Sequence, residues 1–130
     1  MKLVTALAAL GIVLSLTGCA MNQSNAQAEQ LAEQQVNRLR NYLPMQGNGY
    51  TLVMASKLAS EIKLVFVLDN QNNNGPQQTP AAFLDAYRTR MCADSAIRLI
   101  LNQGVTYQIS VNTLQQQTPA QLRLSKESCQ

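Results

Sequence analysis

The chain has 130 residues, ten lysines and arginines against seven aspartates and glutamates, a formal charge of +3, and neither histidine nor tryptophan. The missing histidine removes serine and cysteine triads built on a histidine base, and histidine-ligated zinc, while a small, scattered basic excess makes no case for nucleic acid. Glu29, Glu33, Glu61, Asp69, Asp85, Asp94 and Glu127 are mostly isolated, Glu29 and Glu33 at i, i+4 read as a solvated helix face, and no glycine-rich phosphate loop is present, so the chain reads as a binding protein and not an enzyme, with no cofactor, metal or small-molecule substrate.

The chain opens with a basic start at Lys2, an apolar core from Leu3 to Leu16 and small residues before Cys19. These are the parts of an export signal, and residues 1 to 18 are set aside from the fold. The run is too short for the ~20 apolar residues that a membrane-crossing helix needs. Leu16-Thr17-Gly18-Cys19 looks like a lipobox, the motif at which bacteria attach diacylglycerol to the cysteine and cleave just before it. Cys19 is then the lipidated first residue of the mature chain. Durable anchoring takes more than one acyl chain, and bacterial lipoproteins carry two or three. Ala20 follows where an aspartate commonly retains such proteins at the inner membrane, so the expected place is the outer membrane, facing the periplasm. What is left is 112 residues, one domain by size. With Lys2 lost, nine basic residues stand against seven acidic ones, a charge of +2.

A lipidated tether over 19–24 leads to Ser24-Asn25-Ala26-Gln27, which has the form of a capping box. Ala28, Ala32, Val36, Leu39 and Leu43 then recur at helical spacing until Pro44. "GYTLVMAS" from Gly49 and "EIKLVFVLD" from Glu61 are rich in strand formers and predict two antiparallel strands. The second is apolar on both faces, as in a strand near the centre of a sheet. "NQNNNGPQQ", residues 70–78, is a polar low-complexity loop, with a recognition loop as the other reading. Thr79-Pro80 is an N-cap followed by proline at the first helical position, opening a helix with Phe83, Leu84, Tyr87 and Met91 along one side. "AIRLIL", then Asn102-Gln103-Gly104, then "VTYQISVN" predicts a hairpin with glycine in its turn. "QLRLSK" predicts a last short strand. The order α-β-β-α-β-β-β gives an α+β fold over 25–130, a mainly antiparallel sheet of about five strands with helices packed on one face.

With Cys19 acylated, Cys92 and Cys129 remain as a pair in an oxidising compartment, and a disulfide between them is expected. A redox pair would be expected as Cys-x-x-Cys, a spacing the chain lacks.

"NYLPMQGNGYTLVMA", "QTPAAFLDAYRTRMCADSAIRLILNQGVTYQISV" and the closing cysteine resemble the type II secretion pilotins of the AspS (GspS-beta) family, colinearly from about Leu39 to Cys129. The resemblance implies an outer-membrane lipoprotein that binds the C-terminal S-domain of a secretin subunit, escorts it with the lipoprotein sorting machinery and places the secretin ring in the outer membrane. It also implies a sheet of about five strands, mainly antiparallel, with helices against it. A tail that is disordered when free can fold as an amphipathic helix in an apolar groove. Candidate wall residues are Val36, Leu39 and Leu43 of the first helix and Phe83, Tyr87 and Met91 of the second, each with plain core packing as the other reading. Arg88, Arg90 and Arg98 are candidates for pairing with acidic residues at the tail's edge, or are solvated surface. The alternative function is a periplasm-facing lipoprotein that binds another envelope protein, either a structural subunit or an inhibitor.

Overall fold

The computed structural model describes residues 19–47, 49–68, 79–113 and 118–130, with side chains in the first helix from residue 25 onward. The signal at 1–18 and the polar loop at 70–78 lie outside the described residues.

Helix α1 covers Cys19–Arg40. It starts ahead of Ser24-Gln27, so that box lies inside the helix and does not open it. No proline or glycine interrupts the chain between Cys19 and Leu43 to stop it. The expected stripe is real: Ala28, Ala32 and Val36 are buried, and Leu39 and Leu43 pack half-buried beside them. Small alanines let the helix lie close across β2 and β3. At its end the Arg40 Nε donates to the Ala55 carbonyl at 3.0 Å, fastening helix to sheet.

Five strands follow in the spatial order β1-β2-β3-β4-β5. They are β1 (Met45–Gly47), β2 (Tyr50–Leu58), β3 (Glu61–Leu68), β4 (Thr106–Asn112) and β5 (Ala120–Leu124). The short edge strand β1 carries no sequence signal beyond its place after Pro44. β3, apolar on both faces, is the central strand, as expected. β1-β2, β2-β3 and β4-β5 are antiparallel, while β3-β4 is parallel, pairing Ile62 with Tyr107, Leu64 with Ile109 and Phe66 with Val111. Those six side chains share one face and are buried. A register shift between Leu52 and Met54 leaves Val53 and Met54 both exposed on β2.

Helix α2 (Pro80–Ala93) begins as the sequence predicts: the Thr79 Oγ1 accepts from the Ala82 N–H at 3.2 Å, with Pro80 at the first helical position. The segment "AIRLIL" differs from expectation. It forms helix α3 (Ser95–Asn102), not the first strand of a hairpin. The Asp94 Oδ1 accepts from the Ala96 and Ile97 N–H groups at 2.9 and 3.4 Å, capping the start. Gly104 does punctuate the chain, but as the end of a helix: the Gly104 N–H donates to the Leu101 carbonyl and the Val105 N–H to the Ile100 carbonyl, a Schellman pair with Gly104 at φ 103°. The physical reason lies in the parallel β3-β4 pairing. Parallel neighbours need a long crossover, which α2 and α3 supply, and no hairpin can join them. The observed order is α-β-β-β-α-α-β-β, an α+β fold with its helices on one face of a mostly antiparallel sheet.

A disulfide joins Cys92, near the end of α2, to Cys129 in a closing 3-10 turn (Lys126–Cys129), with Cα atoms 5.2 Å apart and 37 positions between them in sequence.

Candidate functional site

Phe83 and Tyr87 stand one helical turn apart on α2 and meet the sheet through an aromatic cluster. Ring centroids lie 4.3 Å apart for Tyr50 and Phe83, 5.1 Å for Phe66 and Phe83, and 5.2 Å for Phe66 and Tyr87. The edge-on arrangement of Phe66 against both α2 rings suits the aromatic quadrupole. Phe83 sinks into the core, while Tyr87 stays half-buried at its rim.

Two cavities open on either side of that rim. The first, about 130 Å³, is bounded by Met45, Gln46 and Gly47 of β1, Tyr50, Leu52 and Phe66 of the sheet, and Phe83, Tyr87 and Arg90 of α2. The second, about 200 Å³, has Gln35 and Leu39 of α1 on one side and Tyr87, Arg90 and Met91 of α2 on the other, with Leu64 and Tyr107 of the sheet, Asp94 and Ile97 completing it. Tyr87 and Arg90 border both. Together the cavities form a channel on the helical face, largely apolar in its lining.

The six candidate wall residues divide. Leu39 and Tyr87 are half-buried and line the channel. Phe83 and Met91 touch it from largely buried positions, at 6% and 8% exposure, and so serve the core as well. Val36, 2% exposed, is core, and Leu43 packs half-buried against the core without lining either cavity. Of the three arginines, Arg88 pairs with Asp85 on its own helix, Arg98 borders a separate cavity near Lys126, and Arg90 borders the channel. Arg90 has no carboxylate partner among the described residues. The side chain of Cys19 lies outside the described part of α1.

Sequence reasoning missed Met45, Gln35 and Tyr107. Met45 follows Pro44 with no periodic signal, but it is 43% exposed, an apolar side chain left at the channel mouth. Tyr107 sits on the buried parity of β4, with Val105, Ile109 and Val111. That alternation was readable, and it aims a hydroxyl into an apolar layer. Burial pushes the Tyr107 pKa far up, so the phenol is neutral and a donor; the Tyr87 and Asp94 neighbours act in the same direction, and Gln35 opposes them. Burial raises Tyr87 likewise, against the charge of Arg90.

Fold and site define the class: a small α+β protein whose helical face carries an open, mainly apolar channel, a shape for holding a ligand segment. Among the described residues there is no group of three or more histidines, cysteines, aspartates or glutamates able to hold a metal. The sequence profile of the family described as Type II secretion system (T2SS) pilotin, S protein, matches residues 24–129, and the chain belongs to that family. Its members are pilotins, not enzymes. The chain is 32% identical over 120 residues to Pilotin AspS 2 of Escherichia coli O78:H11 (strain H10407 / ETEC), covering 92% of this chain and 85% of that protein. It also resembles the solved pilotin AspS from Vibrio cholerae, at 26% identity and a TM-score of 0.72 over 85% of this chain and 99% of that one. A chain of the ETEC pilotin-secretin AspS-GspD complex matches at 27% identity and a TM-score of 0.53, over 76% of this chain and 88% of that one.

Proposed function

We propose that this pilotin is lipidated at Cys19, sits at the outer membrane facing the periplasm, and binds the C-terminal S-domain tail of a type II secretin in the channel between α1, β1 and α2. The tail lies there as an amphipathic helix, its anchors at i, i+3 or i+4 and i+7 facing the sheet. The lipoprotein sorting machinery then carries the pair outward, and the secretin ring assembles at its destination. The observation that carries this reading is the channel itself: two adjoining cavities with aromatic and aliphatic linings on the helical face, in a family with a member solved in a pilotin-secretin complex. An exposed apolar strip on a soluble domain marks a partner site.

The test uses the full chain in mild detergent and a synthetic peptide of the host secretin's C-terminal tail. Binding is expected with a gain in peptide helicity and a negative heat-capacity change. Leu39→Glu or Tyr87→Glu places an unpaired charge against the tail and should weaken binding at least tenfold while circular dichroism shows an unchanged fold. Cys19→Ser should leave peptide binding intact and abolish secretin placement in cells. A wild-type chain that ignores the tail at high micromolar concentration would sink the reading and favour another envelope partner.

A further inference from the structure

Among the described residues that bound the first cavity, Arg90 is the one charged side chain, set beside Met45, Leu52, Phe66 and Phe83. It borders the second cavity too, as does Tyr87 three positions before it, so these helix neighbours form the ridge that divides the channel. Arg88 is already held by Asp85 and borders neither cavity. Asp94 follows Arg90 at i+4, but its Oδ1 accepts from the Ala96 and Ile97 N–H groups, and among the described residues no ion pair joins it to Arg90. Arg90 is exposed, so in the free chain water satisfies its charge. A helix laid across the ridge removes that water and leaves the guanidinium against an apolar wall, which is costly unless the helix brings a counter-charge.

We propose that Arg90 is a carboxylate receptor: the tail in the channel carries one carboxylate among its apolar anchors, and that group meets the guanidinium over the ridge between the two cavities. This rests on reading the channel as the seat of the secretin tail. The carboxylate lies toward the first cavity, because Asp94 borders only the second and repels a like charge there. The guanidinium presents a planar fork of N–H donors that matches the two oxygens of a carboxylate. An amide or hydroxyl in the same place makes a hydrogen bond but leaves the charge uncompensated, and a tail lysine or arginine is repelled. Residues three or four apart on a helix share a face, so an acidic residue one turn from an anchor reaches the ridge while the anchor fills the cavity beside it. The apolar lining supplies the hold, and Arg90 determines which tail is accepted and in what register. Charges at the edge of an interface act in this way, on partner choice and encounter more than on affinity.

Arg90→Gln tests this, in the full chain in mild detergent and against the host secretin's tail peptide. Glutamine keeps part of the aliphatic stem and removes the charge, and at an exposed position the melting temperature should not change. The variant should bind the tail about fivefold more weakly, the upper end for an ion pair near solvent. Arg88→Gln removes the same charge from the same helix away from the channel, and should bind as the wild type does. Each aspartate and glutamate of the tail is then replaced by its amide in turn, and a further peptide carries an amidated C-terminus, which separates a side-chain carboxylate from the chain end. One of these peptides should lose about fivefold against the wild type and nothing further against Arg90→Gln, the signature of a coupled pair. The cycle compares peptides on one variant, so a change in that variant's own stability cannot imitate it. Equal tail affinity of wild type and Arg90→Gln, an equal loss in Arg88→Gln, or the absence of any coupled carboxylate in the tail overturns the receptor and leaves the channel reading standing. Failure of the wild-type chain to bind the tail at all removes both.

Discussion

Tyr50 of β2, Tyr87 of α2 and Tyr107 of β4 lie in or beside the core between helices and sheet, and burial raises the pKa of each above the ordinary 10.0. The consequence for stability has a definite sign. Above about pH 10 the unfolded chain releases its phenolic protons while the folded chain keeps them, so the folded state binds more protons and loses stability as the pH rises. Below that value all three are neutral in both states, and their contribution is constant. With no histidine in the chain, no side chain of ordinary pKa changes charge between about pH 5 and 8. The melting temperature should therefore be level from about pH 6 to 9 and fall steadily above 10, and Tyr107→Phe should flatten part of that fall. A melting temperature unchanged at pH 11 would show that these hydroxyls are not desolvated.

At the scale of elements, α3 is where local pattern and tertiary demand part company. "AIRLIL" is rich in isoleucine and leucine, and a short apolar run next to an Asn-Gln-Gly turn suits a strand as well as a helix. Two cues favoured the helix: Asp94-Ser95 in capping position, and Ile97, Ile100 and Leu101 at i, i+3 and i+4, of which Leu101 is buried and the isoleucines half-buried. What decided the matter was not local. β4 pairs parallel to β3, Glu61 opposite Thr106 and so on along the strand, a choice made far away in sequence, and only a crossover satisfies it. By contrast α2, β2, β3 and β4 were legible because capping residues, β-branched runs and the double-faced apolarity of β3 all agreed with the fold. Leu39 and Tyr87 were legible as channel residues for the same reason, being apolar positions at the margins of amphipathic stripes. Tyr107 and Met45 were not, because their roles come from which elements lie over them. The Schellman ending gives a test of the assignment. A Cβ on Gly104 would meet only the Ala28 Cβ, at 3.6 Å, an ordinary contact, so the cost of Gly104→Ala is the left-handed backbone alone. That cost should be about 1 kcal/mol, a drop of roughly 4 °C in melting temperature. Gly47→Ala in β1, with nothing within 4 Å and no positive φ, is the control and should be near neutral. Equal effects at the two glycines would contradict the assignment.

For the whole molecule, the Cys92–Cys129 disulfide, across a sequence separation of 37, closes a ring that contains α3, β4 and β5. Restricting the unfolded chain in this way stabilises the fold by about 4 kcal/mol in the loop-entropy model. Replacing both cysteines by serine should cost on that order, with a larger m-value because the unlinked unfolded chain exposes more surface, and in the native protein neither thiol should react with alkylating reagents until a reductant is added. Free thiols in the folded chain would refute the bond. The same covalent link also bears on when the chain can act. Cys92 directly follows Arg90 and Met91 on the α2 wall of the channel, so the bond clamps the C-terminal end of that wall to the end of the chain. Without the bond, α2 keeps its packing against the sheet and its cap hydrogen bonds but loses its covalent tie to the chain end. Thiols stay reduced in the cytosol and pair in oxidising compartments, so on the proposed route through the periplasm this clamp on the end of α2 is a feature that the chain acquires only after export.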